Sequence, residues 1–321
     1  MIAKLRIIRK IEWKAFLLII SVSAVIAYSY YERVDVPNYE LREDLHKQII
    51  QGTAPSPYRY RVLVPFTCNI FINILSLIFP KKLSFLFTYG VYDFVGISFT
   101  LIMLFLWLRK IGFTKEQALI GVLFVGGTVP IALRDHWYQP WSLLEPGFFS
   151  LALILAAFYR DKIRFAFLLT ALATLNRETA IFIPLLFLLT FDFKNSSIKQ
   201  FLSLLFMFLI WAGIFFVLRY FRRNAPHVET IIGLFSHNTQ KIALIHTMIN
   251  WVLFLGGFWI FVFLGYKRAT KFIKQATLMI PFYMVTIGLY GVWYEVRLLM
   301  PLYPIILPLG LFYLWPLNRK I

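Results

Sequence analysis

The stretch SFLFTYGVYDFVGISFTLIMLFLWL, residues 84–108, contains a single charged residue, Asp93, in 25 positions. A helix needs about 20 apolar residues to cross the hydrocarbon core of a bilayer, so this stretch predicts a membrane-spanning helix. Seven further charge-poor stretches predict spans at about 13–31, 117–133, 142–159, 199–218, 250–266, 276–292 and 297–315.

The composition agrees with a chain of many membrane helices. Of the 321 residues, 60% are apolar and 15% are charged, and the mean hydropathy is +0.72. Soluble domains carry about 25% charged residues, so the composition excludes a water-soluble enzyme, a disordered chain and a secreted disulfide scaffold. Cys68 is the sole cysteine, which excludes an intramolecular disulfide and a cysteine-based metal site.

Two apolar segments do not fit a single crossing. Residues 163–192 are too long for one span and are interrupted by the polar run at 176–178, so we predict two short helices, 163–175 and 178–192, that meet at a polar turn. Residues 62–79 are apolar but short and contain a proline and two asparagines. From hydropathy alone, this segment either spans the membrane or lies at its interface.

The distribution of basic residues decides between these two topologies. If 62–79 does not span, 19 of the 33 Lys and Arg residues fall on one side of the membrane with only four acids. Because cytoplasmic loops carry the excess of Lys and Arg, we predict ten spans, both termini in the cytoplasm and an extracytoplasmic first loop at 32–82. The net charge of +18 is then mostly a topology signal and does not require a nucleic-acid partner.

The first loop contains two candidate sites. Apolar residues recur every fourth position from Tyr39 to Gln51, which predicts an amphipathic interfacial helix that stops at Gly52. Asp35, on the preceding loop, is either a general base for a lipid-linked substrate or a cap for this helix.

Arg59 and Arg61 flank Tyr60 in the same loop. Alternate residues of an extended stretch share a face, so the two guanidinium groups are expected side by side. Such a pair suits a phosphate or diphosphate, or the head groups of ordinary anionic lipids.

The loop between the predicted third and fourth spans combines acids, an imidazole and aromatic rings. Trp137 and its aromatic neighbours form either an interfacial belt or a surface that stacks on sugar rings. Asp135, His136 and Glu145 are candidate ligands for a divalent cation such as Mg²⁺ or Mn²⁺.

Two later motifs each place an acid beside an arginine at the predicted outer boundary of the membrane. These are Arg177 with Glu178 and Glu295 with Arg297. An unpaired charge is costly there, so each arginine should have an anionic partner. The alternatives are a salt bridge within each motif and one pocket shared by both motifs, and we favour the shared pocket.

These motifs resemble those of the GT-C superfamily of integral-membrane glycosyltransferases, most clearly the mannosyltransferase branch. In the first loop, the matching residues are Asp35, Asn38, Tyr39, Gly52, Tyr60, Arg61 and Pro65. Near the end, Tyr294-Glu295-Val296-Arg297-Leu-Leu-Met-Pro301-Leu-Tyr-Pro304 is similar to the branch's C-terminal motif. The chain departs from the pattern at Val36, which replaces a second acid, and at Trp293-Tyr294, which replace a His-Lys pair.

The resemblance implies a sugar donor linked to a polyprenyl phosphate and a glycan, lipid or protein acceptor, with transfer on the outer side of a bacterial cytoplasmic membrane. It implies that Asp35 deprotonates the acceptor and that Arg297, with Arg59 or Arg61, holds the donor phosphate. The residues expected to line the sugar or acceptor pocket are Asp135, His136, Trp137, Glu145, Arg177, Glu178 and Glu295. The alternatives are a transporter or flippase for a lipid-linked sugar and a non-catalytic partner in envelope polysaccharide assembly.

Overall fold

A computed structural model describes residues 12–134, 138–159, 162–192, 197–223 and 231–316. Within these ranges the chain is helical and contains no strand, as the sequence predicts. The helices are α1 (Trp13–Tyr30), α2 (Tyr39–Gln51), α3 (Leu63–Leu75), α4 (Lys81–Ile111), α5 (Lys115–Leu133), α6 (Glu145–Phe158), α7 (Ile163–Asn176), α8 (Phe182–Leu189), α9 (Ile198–Phe221), α10 (Ile231–Thr239), α11 (Lys241–Leu255), α12 (Phe258–Gly265), α13 (Lys271–Thr277), α14 (Met279–Tyr290) and α15 (Tyr303–Leu314).

Shorter turns join or extend several of these helices. A π-helical turn extends α1, and tight 3₁₀ turns precede α3, α6, α8 and α15 and follow α12. Their bounds are Tyr31–Asp35 for the π turn and Tyr58–Tyr60, Pro140–Leu143, Glu178–Ile181, Val296–Leu302 and Tyr266–Arg268 for the 3₁₀ turns.

In the described part of the chain, seven helical segments are long and apolar enough to cross a membrane. They coincide with seven of the eight long stretches that the sequence predicts. The segments are Trp13–Asp35, Lys81–Ile111, Lys115–Leu133, Pro140–Phe158, Ile198–Phe221, Lys271–Tyr290 and Val296–Leu314.

The predicted span at 250–266 is not one straight helix, and whether the bent pair found there crosses the membrane stays a prediction. The chain forms α11 and α12 there, and the segments Lys241–Leu255 and Phe258–Arg268 meet at an angle of 73°. Gly256, at the break, has φ +52°, a backbone conformation that residues with a Cβ rarely adopt. Hydropathy does not register this kink, because glycine is as compatible with an apolar window as its neighbours are.

The predicted division of 163–192 into two short helices is confirmed. Helix α7 ends at Asn176, and Arg177 is extended, with φ −162° and ψ 145°, before the next turn begins. Helix α3 has 13 residues, a length of about 20 Å, which is shorter than the hydrocarbon core. The total of ten crossings and their direction stay predictions.

Helix α15 lies at the centre of the packing and α9 at its periphery. In an 18-residue window of Val296–Leu314, 94% of the residues are buried, whereas in such a window of Ile198–Phe221 11% are buried. Pro308 has no N–H, so it cannot donate the usual helical hydrogen bond to the carbonyl of Pro304. Trp107 in α4 donates to that oxygen instead, from Nε1 at 2.7 Å. The outward faces of α9 are therefore the ones suited to lipid.

The close packing of α12 against α15 requires a residue without a side chain at position 265, which is Gly265. A Cβ at this position would collide with the backbone carbonyl of Leu309. We expect Gly265→Ala to lower the free energy of unfolding by about 1–3 kcal/mol, because the backbones must move apart.

The matched control is Gly213→Ala in α9, where an added Cβ meets no atom within 4 Å. This change should be neutral or stabilise the helix by up to about 1 kcal/mol. Thermal unfolding in detergent measures both, and equal stabilities of the two variants would contradict the packing.

Candidate functional site

The polar side chains form two adjacent clusters. We call the first the acid cluster, which comprises Asp35, Arg42 and Asp93. We call the second the arginine cluster, which comprises Arg59, Arg61, Arg177, Arg219, Arg222 and Arg297.

Asp35 is fully buried at the end of the π turn that extends α1. Its Oδ1 accepts a hydrogen bond from Arg42 Nη1 in α2, and its Oδ2 has no protein partner. The alternative role as a helix cap does not apply, because α2 has Asn38 at its N-cap and no side chain caps the helix. The arrangement leaves one carboxylate oxygen of Asp35 unoccupied.

The orientation of α2 differs from the predicted one. Arg42, Leu45, His46 and Ile49 face the interior, whereas Leu41 is 55% exposed. The buried face is therefore partly polar and includes the ion pair of Arg42 with Asp35. Arg42 is not among the residues predicted from apolar periodicity, because that pattern does not register a polar residue on a buried face.

Asp93 is buried in the middle of α4, beside Asp35. The two carboxyl groups interact electrostatically, and Asp35 Oδ2 and both oxygens of Asp93 make no hydrogen bond to the described protein. Arg42 is close enough to interact with both acids. Among the described residues, two carboxylates thus share one guanidinium, and these three groups are not neutral together unless a further proton or ligand binds.

Tyrosine rings enclose the guanidinium of Arg42. Its Cζ lies 5.2 Å from the ring centre of Tyr89, 5.5 Å from that of Tyr138 and 5.9 Å from that of Tyr30. These cation–π contacts fix the arginine, which in turn orients Asp35.

A hydrogen-bonded chain continues from this cage to α2. The hydroxyls of Tyr138 and Tyr89 are 2.7 Å apart, and the Tyr89 hydroxyl is 2.9 Å from His46 Nδ1. Burial lowers the pKa of His46 to about 4, so the ring is neutral at physiological pH. Nε2 lies 3.4 Å from the Asn69 side-chain oxygen and serves as the donor, which leaves Nδ1 to accept from Tyr89.

In the arginine cluster, three arginines are each paired with a glutamate. Arg61 holds Glu178 through two hydrogen bonds of 3.2 and 2.5 Å. Arg177 Nη1 donates to Glu145 at 2.6 Å, and Arg297 Nη2 donates to Glu295 at 2.5 Å. Arg177 and Glu178 therefore pair outside their own motif, as a shared pocket requires, while Glu295 and Arg297 pair within theirs.

These three pairs lie close together. The guanidinium of Arg297 is near enough to those of Arg177 and Arg61 for mutual repulsion. Nε and Nη1 of Arg297 are buried without a partner. The motif that precedes α15 and the break between α7 and α8 therefore share one polar region.

The remaining three arginines have no carboxylate within ion-pair distance anywhere in the described chain. We call Arg59, Arg219 and Arg222 the unpaired triad. Arg59 is 1% exposed, and it donates from Nη2 to the Tyr60 hydroxyl at 3.0 Å, while its Nε and Nη1 have no partner. Burial and the neighbouring Arg59 lower the pKa of Arg222 below its ordinary value.

Contacts with backbone and aromatic rings bring the triad together. Arg222 Nη1 donates to the carbonyls of Ile49 and Arg59, at 2.9 and 2.6 Å. Arg219 Cζ lies 4.4 Å from the ring centre of Tyr60 and 3.4 Å from that of Phe215. Arg219 and Arg222 are not among the site residues predicted from the sequence, although the predicted topology already places this end of α9 on the outer side.

The expectation that Arg59 and Arg61 project side by side from an extended stretch is wrong. Residues Tyr58–Tyr60 form a 3₁₀ turn, and the two arginines have different surroundings. Arg61 forms an ion pair with Glu178, whereas the charged group beside Arg59 is another arginine, Arg222. Of the two, Arg59 is the one with nitrogens available to a ligand.

An aromatic wall joins the two clusters. The ring of Trp141 lies 4.9 Å from Arg61 Cζ and makes an edge-to-face contact with Tyr138, with ring centres 5.6 Å apart. Tyr138 also faces Arg42. Asn176 anchors the wall by donating to the Trp141 carbonyl at 2.9 Å. The acid cluster and the arginine cluster are thus opposite sides of one site.

The described residues do not form a divalent-cation site. Both oxygens of Glu145 accept hydrogen bonds, one from Arg177 and one from Thr179. No group of three or more His, Cys, Asp or Glu side chains lies close enough to hold an ion in the ranges that the structure covers. Asp135, His136 and Trp137, the other predicted ligands and pocket residues, fall outside the described residues.

Comparison with protein-family models, with curated proteins and with solved structures finds no match to this chain. The resemblance to GT-C glycosyltransferases therefore rests on the motifs of the first loop and of residues 294–304.

The lowered pKa of His46 gives a prediction for acid stability. The unfolded chain binds a proton near pH 6.5 and the folded chain only near pH 4, so protonation favours unfolding. The stability that neutral His46 contributes is complete above pH 6.5 and is lost as the pH falls towards 4, by about 3 kcal/mol.

Unfolding measured between pH 7 and pH 4 tests this behaviour. His46→Gln, which does not titrate, should lose less stability over this range than the unchanged protein. Parallel pH profiles for the two proteins would show that His46 titrates normally in the fold.

Proposed function

We propose that the protein is a glycosyltransferase that moves a sugar from a polyprenyl-phosphate-linked donor to an acceptor on the extracytoplasmic side of a bacterial cytoplasmic membrane. One observation carries the proposal. A buried carboxylate with a free oxygen, on Asp35, lies across an aromatic wall from a cluster of arginines that still have unoccupied nitrogens.

Asp35 has the geometry of a general base. Arg42 holds Oδ1 and leaves Oδ2 to accept the proton of an acceptor hydroxyl. The acceptor oxygen would form a bond to the donor sugar at C1 as the bond from C1 to the phosphate oxygen breaks. The proton then resides on Asp35, and the bonding electrons leave with the lipid phosphate.

The arginine cluster suits the negative charge that develops on the leaving phosphate. Fixed cations contribute most where charge develops in the transition state. Arg59 and Arg297 each offer two buried nitrogens without a partner, so we assign the donor phosphate to them and not to Arg61. Arg61 instead positions Glu178 and stacks on Trp141.

The aromatic wall suits the sugar itself. Tyr138 contacts Arg42 and Trp141 contacts Arg61, so these two buried rings lie between the acid cluster and the arginine cluster, and we place the transferred ring against them. Aromatic faces pack against the apolar faces of sugar rings. Arginines hold the carboxylates of Glu145 and Glu178. These two glutamates therefore help to form the pocket wall and do not act as bases.

We expect Asp35→Asn to lower sugar transfer at least about 100-fold, because an amide cannot accept the acceptor's proton. The measurement is transfer of labelled sugar from a polyprenyl phosphate by the purified protein in vesicles. The variant should still bind the donor lipid, since the arginine cluster is unchanged, and this binding reports that the fold is intact.

Asp44→Asn is the matched control, because Asp44 lies on the exposed side of α2 and its carboxylate accepts only from Gln48. It should transfer sugar at the unchanged rate. Full activity of Asp35→Asn would remove the assignment. Movement of the donor lipid across the vesicle membrane, with no transfer by any variant, would instead favour a flippase.

A further inference from the structure

The unpaired triad carries more positive charge than the proposed monophosphate donor can neutralise. Arg59 and Arg219 lie over the ring of Tyr60, Arg222 donates to the carbonyl of Arg59, and the described protein offers the three no carboxylate partner. Glu178 is within electrostatic range of Arg219, but both of its oxygens already accept from Arg61. Three cations thus converge on one region and repel each other.

Such a surplus is costly unless an anion of matching charge occupies the region. Bringing like charges together in a partly buried region is unfavourable, and Arg59 is almost completely buried. A sugar linked to a lipid through one phosphate is a diester with about one negative charge, as in a nucleic-acid backbone. A diphosphate linkage carries about two negative charges and offers more acceptor oxygens to the guanidinium forks.

The triad also lies where a lipid would enter. It is at the end of α9, whose residues Phe216, Val217 and Tyr220 are exposed. The guanidinium of Arg222 lies 5.4 Å from the ring centre of Phe66 in α3. The outward side of α3 is apolar as well, at Phe66, Ile70 and Ile74. A head group bound at the triad can therefore keep its isoprenoid tail in the bilayer, against two apolar helix faces.

We infer that the triad is a diphosphate subsite, and that the donor is an isoprenoid lipid linked to its sugar through a diphosphate. The phosphate next to the sugar contacts Arg59, and the phosphate next to the lipid contacts Arg219 and Arg222. This inference rests on the proposed function for the identity of the lipid, whereas the subsite itself follows from the three unpaired guanidinium groups.

The test is a binding titration on the whole protein in nanodiscs of zwitterionic lipid, with no acceptor present. The probes are a short-chain polyprenyl monophosphate, the corresponding polyprenyl diphosphate, phosphatidylglycerol and inorganic diphosphate. The unchanged protein should bind the polyprenyl diphosphate at least about tenfold more tightly than the monophosphate, the effect of one or more additional charge-assisted contacts.

Arg219→Gln combined with Arg222→Gln should abolish this preference and change monophosphate binding by less than about threefold. Arg223→Gln is the matched control, because Arg223 follows directly on the same helix end but is exposed and packs against Tyr220. The control should keep the full preference for the diphosphate.

Equal affinity for the two polyprenyl lipids, or a preference that survives in the double variant, would overturn the subsite. Phosphatidylglycerol that competes as well as the polyprenyl diphosphate would show a general lipid head-group site. If inorganic diphosphate binds as tightly as the polyprenyl diphosphate, the inference that the site recognises an isoprenoid lipid is wrong.

The failure of this inference is distinguishable from the failure of the proposed function. Sugar transfer from a monophosphate donor without any preference for diphosphate binding would support the glycosyltransferase function and reject the diphosphate subsite. A preference for diphosphate binding that depends on Arg219 and Arg222, without sugar transfer from either donor, would support the diphosphate subsite and reject the glycosyltransferase function.

Discussion

A charge buried among apolar helices is costly without an opposite charge, and four ion pairs of the described residues provide one: Asp35 with Arg42, Glu178 with Arg61, Glu145 with Arg177 and Glu295 with Arg297. Glu178 with Arg61 joins the first loop to the break between α7 and α8, and Glu145 with Arg177 joins that break to α6. Removing one partner of such a pair leaves an unpaired buried charge, which costs several kcal/mol, about 3–5. The polar segments are thus held together by the same charges that interrupt the apolar helices.

Because most buried charges are paired, the exceptions carry the functional information. Asp93 adds a second carboxylate beside Asp35, and among the described residues Arg42 is the cation that faces both. On the other side of Tyr138 and Trp141, the unpaired triad adds positive charge, with no acid of the described chain within ion-pair distance. The site therefore has an acidic side and a basic side with an aromatic wall between them, which is the polarity that proton removal at one end and phosphate departure at the other require.

The sequence predicts the helical class and most of the long helices, because apolar length is a local property. It predicts α2 from Tyr39 to Gln51 and the polar break at Arg177 for the same reason. It does not predict the break at Gly256, which depends on backbone conformation. A hydropathy window cannot distinguish a straight span from a bent pair.

The candidate site could be predicted only in part. The motifs identify Asp35, Arg177, Glu178 and Arg297, since acids and arginines at a membrane boundary are conspicuous. Their partners are not local: Arg61 and Glu178 are 117 positions apart, and Arg219 reaches Tyr60 from another helix. Arg42 could not be predicted as a site residue, because it is buried through an ion pair with Asp35 and apolar periodicity does not indicate such a contact.

The most direct test of the central claim, that these arginines hold a lipid-linked phosphate, is a cryo-EM structure of the protein with a polyprenyl-linked sugar donor bound. We expect phosphate density within hydrogen-bonding distance of Nε or Nη1 of Arg59, with the isoprenoid tail between α3 and α9. Phosphate density at any other place, with Arg59 still free of ligand, would contradict it.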